Sequence, residues 1–175
     1  QLDNGGFGTC SSPQSYRGLS EGAHTFAVRA IDAVGNIDPT PANFAWTIDT
    51  SAPTVTFGEA NGQGDGTNIS PIHFTVIFGE PVTGFGDSPD DVLISGTASR
   101  GATATVTDDA PNDGTTYNVA VSGMAMDGTV MISIPAGAAT DLAGNPNTGS
   151  VNPSKSVVFD FTEAGQSLFL PVIIR

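Results

Sequence analysis

The sequence predicts an all-β protein: two tandem β-sandwiches, the first incomplete, followed by an apolar strand of the donor type. Three observations carry this. The chain of 175 residues holds 22 glycines and 12 prolines, and no long segment places apolar residues at helical spacing. Short runs rich in Val, Ile, Thr and Phe alternate instead with clusters of Gly, Pro, Asn and Asp, the pattern of strands separated by turns. A motif also repeats: Asp32-Ala33-Val34-Gly35-Asn36 recurs as Asp141-Leu142-Ala143-Gly144-Asn145, 109 positions on. A small sandwich needs about 100 residues, so one repeat is one domain.

Taken in order, the opening QLDNGGFGTC reads as the middle of a β-hairpin with Asn4-Gly5-Gly6 as its turn. A connection over residues 13–19 follows, then the strands HTFAVRAI and NFAWTID, the latter closing on Asp49. That is about half a sandwich. Domain 1–51 is therefore expected to be an acceptor whose core residues Phe26, Val28, Phe44 and Trp46 need an opposing sheet. The joint falls at Thr50-Ser51-Ala52-Pro53. Domain 52–160 supplies a full set of strands at TVTFG, PIHFTVIF, DVLISG, ATATVTD, TYNVAVSG, GTVMISI and SVVFD. Asn61-Gly62, Asp65-Gly66, Asp113-Gly114 and Asp127-Gly128 provide turns between several of them.

The tail, 161–175, contains Leu168, Phe169, Leu170, Pro171, Val172, Ile173 and Ile174, apolar on both faces of any strand. These residues are too few to span a bilayer but make a strand of roughly 23 Å at 3.3 Å per residue. Exposed, such a segment is an aggregation hazard, so it is expected to be buried in something. Phe169 lies nine residues after Asp160, much as Phe57 lies eight after Asp49, so the tail stands where the first strand of a third domain would begin. A first domain without its opening strands and a tail without a domain are complementary. The expectation is strand donation: the tail of one subunit completes the first domain of the next, a head-to-tail contact that propagates as a fibre unless it closes into a ring. Pro171 suits an edge position in such a strand. The alternative is a stalk or spacer fragment of a long surface protein or adhesin, its tail folding back on its own first domain or serving as an anchoring signal. An adhesin needs an exposed aromatic cluster, whereas Trp46 is expected in the core.

The segment SSPQSYRGLSEGAHTFAVRAIDAVGNIDPTPANFAWTIDTSAP resembles the second half of a bacterial immunoglobulin-like domain of large surface proteins. Residues 53–160 resemble a second bacterial immunoglobulin-like type through FGEPVTGF, VLISGTA, TYNVAVSGM and IPAGAATDLAGNPN. The resemblance implies an extracellular β-sandwich at the bacterial cell surface and no chemistry. Its first type carries a hairpin with two cysteines suited to a bridge. This chain keeps Leu2-Asp3 and Cys10 of that pattern, so the resemblance marks Cys10 as a disulfide candidate.

Charge and motifs exclude several classes. Net charge is −13, from 18 acidic residues against Arg17, Arg29, Arg100, Lys155 and Arg175, which are scattered. No basic patch exists to neutralise phosphates, so neither nucleic acid nor an anionic membrane is an expected partner. No stretch approaches the length of a membrane span. His24 and His73 fall in separate domains, each read as a solvent-facing strand residue or a satisfied one at the edge of a core. Neither a G-x-S-x-G elbow nor an H-E-x-x-H pair occurs, so no enzyme and no cofactor is expected. Asp49, Asp108 and Asp109 are calcium candidates, since calcium takes six to eight oxygen ligands. The competing reading of such acidic turns, including both Asp-x-x-Gly-Asn motifs, is that each carboxylate caps backbone N–H groups. Asn68-Ile69-Ser70, followed by Pro71, is a poor sequon, and Thr-rich faces leave surface glycans as a further expected decoration.

Overall fold

A computed structural model describes residues 1–58, 63–150, 154 and 156–161. The segment 168–174 and Lys155 therefore lie outside the described residues. The protein is all-β, with one 3-10 turn at Pro89–Asp91 and no α-helix among the described residues. It divides into two compact units, Gln1–Ser51 and Ala52–Arg175.

Unit 2 is built on two four-stranded sheets, an arrangement consistent with a β-sandwich. Its strands are β3 (Val55–Gly58), β4 (Gly66–Thr67), β5 (Ile72–Phe78), β6 (Val82–Thr83), β7 (Leu93–Ser95), β8 (Thr103–Asp108), β9 (Thr116–Ser122), β10 (Gly128–Ser133), β11 (Thr140–Asp141) and β12 (Val157–Phe159). One sheet has the order β3-β5-β9-β8, the other β4-β12-β10-β7, and β6 pairs with β11 in a short ribbon. Alternation in the sequence explains the layers. In β5, Ile72, Phe74, Val76 and Phe78 are buried while His73, Thr75 and Ile77 are not. Val119 and Val121 of β9 meet Val130 and Ile132 of β10 in one core, each fully buried. Burying such a side chain stabilises the fold by about 1.5–3 kcal/mol. Phe78, Phe85 and Tyr117 close one part of this core edge to face, with ring centroids 5.0 to 5.7 Å apart.

Two further features of unit 2 matter below. β4 pairs with β12 in parallel, through Val158 N–H to the Asp65 carbonyl and Asp160 N–H to the Thr67 carbonyl, both 2.8 Å. Every other strand pairing among the described residues is antiparallel. Asn147, 2 % exposed, ties together the loops around β11. Its Oδ1 accepts from Ala139 N–H at 2.8 Å, and its Nδ2 donates to the carbonyls of Pro135 (3.1 Å) and Thr148 (2.7 Å).

Unit 1 is smaller. β1 (Gly22–Val28) and β2 (Ala42–Ile48) pair antiparallel along their whole length, from Gly22 opposite Ile48 to Val28 opposite Ala42. The far edge of β1 is met by residues 1–3: Leu2 bridges Phe26, Ala27 N–H donates to the Gln1 carbonyl (2.9 Å), and Asp3 N–H donates to that of Thr25 (2.7 Å). The hairpin expected about Asn4-Gly5-Gly6 is not formed. The chain does turn there, with Gly5 N–H on the Leu2 carbonyl, but no strand follows before β1. Phe7, which a returning arm would carry back along residues 1–3, instead lies with its ring under the Arg29 guanidinium, 4.0 Å from ring centroid to Cζ.

The repeated motif folds identically in both units. Asp32 Oδ1 accepts from the N–H groups of Val34 and Asn36, and Oδ2 from Asn36 Nδ2, at 2.7 to 2.9 Å. Asp141 does the same with Ala143, Asn145 and the Asn145 amide, all at 2.8 Å. The bridges beside the loops keep the spacing too: Ile31 with Ile37, and Thr140 with Pro146.

Candidate strand-docking site

The hairpin of unit 1 has two unlike faces. Because side chains alternate along a strand, His24 and Phe26 of β1 share a face with Trp46 and Phe44, their cross-strand partners. The reverse face carries only Ala23, Thr25 and Ala27 against Asn43, Ala45 and Thr47. Phe44 and Trp46 stack at 6.0 Å and 23°, His24 lies 5.7 Å from Trp46, and Tyr16 from the preceding loop covers Phe26 at 6.0 Å. Gln14, Tyr16, Phe26, Phe44 and Trp46 line an open cavity of about 240 Å³. Phe44 is 67 % exposed and Val28 42 %.

Unit 2 shows what such a face looks like when covered. Gly22 pairs with Ile48 just before Asp49, as Gly128 pairs with Phe159 just before Asp160. By that register His24, Phe26, Trp46 and Ile48 correspond to Val130, Ile132, Val157 and Phe159, all of them buried in unit 2. Trp46, expected as a core residue, is only half-buried, because no second sheet lies over the hairpin of unit 1 among its described residues. The absence of an exposed aromatic cluster, expected from a buried Trp46, is corrected in the same way.

The free edge belongs to β2. Thr25 and Ala27 turn their backbone groups to residues 1–3, so the alternate residues of β1, His24, Phe26 and Val28, bond to β2. On β2 the residues bonded to β1 are therefore Trp46, Phe44 and Ala42. Asn43, Ala45 and Thr47 present their N–H and C=O to the outside, where no strand pairs with them among the described residues.

One titratable pair fixes the closed edge. His24 is buried, with Nδ1 3.0 Å from Asp3 Oδ2 and Nε2 2.8 Å from the Ser20 carbonyl. Both partners are acceptors, an arrangement that favours the imidazolium, in which both nitrogens donate. The Ser20 carbonyl, and after it the Asp3 carboxylate, raise the His24 pKa above its ordinary value. Thr25 N–H, and after it His24, hold Asp3 below the usual carboxylate range. The His24 contribution is thus complete below the ordinary histidine pKa and lost as pH rises through the raised one. That of Asp3 is complete above the ordinary carboxylate pKa and lost as pH falls through the lowered one. Residues 1–3 are clamped to β1 between those limits. An NMR titration of the His24 ring is expected to give a midpoint above the ordinary value of about 6.5. Exchange protection of Ala27 N–H should fall across the same step, and not in His24→Gln. A midpoint at or below the ordinary value would refute the clamp.

Asp49, Asp108 and Asp109 are not gathered into one acidic group among the described residues. The carboxylate of Asp49 accepts from Ser51 N–H at 3.1 Å. Asp108 ends β8, Asp109 pairs its backbone with Thr116 and Asn112, and neither meets two further acidic side chains at metal-binding distance among the described residues. In both Asp-x-x-Gly-Asn loops each carboxylate oxygen is occupied by N–H donors. The Asn36 amide and backbone lower the Asp32 pKa. At Asp141 burial pushes the pKa up, but the bonds from Asn145, Ala143 and Gly144 outweigh it and the net shift is downward. Cys10 is a free, exposed thiol beside Phe7 and Arg29. His73 sits 3.0 Å from Asn118 Oδ1. No helix among the described residues is long and apolar enough to cross a membrane. No known family model matches the chain, and no curated protein matches it either.

Proposed function

We propose that the chain is a structural subunit of an extracellular filament on a bacterial surface, built of immunoglobulin-like sandwiches. In this reading unit 1 of one copy accepts residues 168–174 of the next. One observation carries it: the aromatic face of β1–β2 is uncovered and the β2 edge beside it is open. A strand added there satisfies the backbone groups of Asn43, Ala45 and Thr47 and supplies side chains for Phe44 and Trp46 to pack on. Each large apolar side chain so buried contributes about 1.5–3 kcal/mol before the cost of association. The segment 168–174 has both the length of β2 and the apolar character required. Purified chain is expected to form linear multimers in electron micrographs, and removal of residues 168–175 to leave monomers. Multimers that survive the deletion would sink the proposal.

A second reading, an adhesin, is favoured by the same exposed rings. Stacked aromatics beside an amide such as Gln14 also suit the apolar face of a sugar. In that case soluble oligosaccharides would quench Trp46 fluorescence in the deletion variant, where strand donation predicts no response.

A further inference from the structure

Strand addition to β2 has two directions, and the two bury different side chains. The argument rests on the reading of unit 1 as a strand acceptor, and takes the occupant to be residues 168–174 of a second copy. Their seven positions match the seven of β2, and they belong to the stretch that follows Phe161, which lies outside the described residues.

Pro171 lacks an N–H, so it belongs to the set of alternate residues that faces away from β2, together with Phe169 and Ile173. The set bonded to β2 is then Leu168, Leu170, Val172 and Ile174. Where that set points depends on direction. In an antiparallel pair bonded residues stand opposite one another on one face of the sheet. The open-edge residues of β2, Asn43, Ala45 and Thr47, face away from the rings. Antiparallel docking would therefore turn the four aliphatic side chains to solvent and leave Phe169, Pro171 and Ile173 on the aromatic face.

Parallel docking reverses this, and unit 2 displays it at the corresponding edge. There Val158 is bonded to β4 and faces outward, 50 % exposed. Thr67, bonded in turn through its carbonyl, stands beside buried Phe159 on the core side. On an incoming strand that pairs as β4 does, bonded residues face the core. We infer that the strand entering unit 1 runs parallel to β2, with Leu168, Leu170, Val172 and Ile174 laid on Phe44 and Trp46.

The test uses the full chain in two pairs of variants. Leu170→Ser with Val172→Ser is expected to raise the concentration for assembly more than about tenfold, and Phe169→Ser with Ile173→Ser less than about threefold. The opposite ranking overturns the direction and leaves strand donation standing. In a Cys10→Ser background, Ser167→Cys is then combined with either Asn43→Cys, on its face in parallel docking, or Ile48→Cys, on its face in antiparallel docking. A ladder of disulfide-linked chains is expected from the Asn43 pair, at the start of β2. A ladder from the Ile48 pair instead overturns the parallel direction. A linked monomer from the Asn43 pair keeps the direction and overturns donation between copies. Assembly indifferent to all four serine substitutions, with no linkage from either pair, overturns both.

Discussion

Asn147→Ala is expected to destabilise unit 2 by about 2–4 kcal/mol, lowering its melting temperature by roughly 10 °C. The side chain is 2 % exposed and serves three backbone groups of the loops on either side of β11. Truncation strands the Ala139 N–H, on a residue itself 3 % exposed, with no acceptor and no room for bulk water. The carbonyl of Thr148 lies on an exposed residue and can turn to solvent, which keeps the loss below the sum of three buried bonds. Asn147→Asp sharpens the test. It keeps the acceptor for Ala139 but sets a carboxylate against the carbonyl oxygens of Pro135 and Thr148. Its defect should therefore shrink at pH values low enough to protonate it, whereas that of Asn147→Ala should not change. A melting temperature within 2–3 °C of the parent for Asn147→Ala would show that the loops do not depend on this residue.

Phe44→Ser should leave the isolated chain as stable as before and weaken its assembly by about ten- to a hundredfold, the equivalent of losing one buried aromatic ring. The asymmetry follows from exposure: at 67 % exposed, Phe44 contributes little to the fold of a single copy. Sedimentation velocity over a concentration series, beside thermal melts of the same samples, separates the two effects. Unchanged assembly would remove Phe44 from the contact. A fall in melting temperature without a change in assembly would mark it as part of the fold of unit 1 alone.

The repeat was legible in the sequence because its geometry is local. Asp32 and Asp141 each bond residues two to four positions on, so similar five-residue strings close into the same loop. Long strands such as β5 and β9 were equally legible, since one buried face imposes alternation. The two-residue strands β4, β6 and β11 were not. Asp65-Gly66 reads as a turn, yet Gly66 and Thr67 lie along β12, and only that distant partner makes them a strand. The same limit applies at the docking site. Phe26, Val28, Phe44 and Trp46 were legible as one apolar set. Which edge of the hairpin stays open was not, because residues 1–3 close the other edge through contacts about 23 residues away in sequence. The clamp at His24 depends on the same long-range pairing, and a lone histidine in a strand gives no sign of it.

The position of β2 in the chain has a mechanical consequence. β2 ends at Ile48, and the chain passes into unit 2 after Ser51, so a pull transmitted through unit 2 reaches the hairpin at the C-terminal end of β2. In the proposed joint, a parallel donor strand would be pulled from its own N-terminal end, at the other end from that pull. The backbone bonds between the two strands would then bear the load together, in shear. Reversing the donor would put both pulls at one end and peel the bonds apart singly, at much lower force.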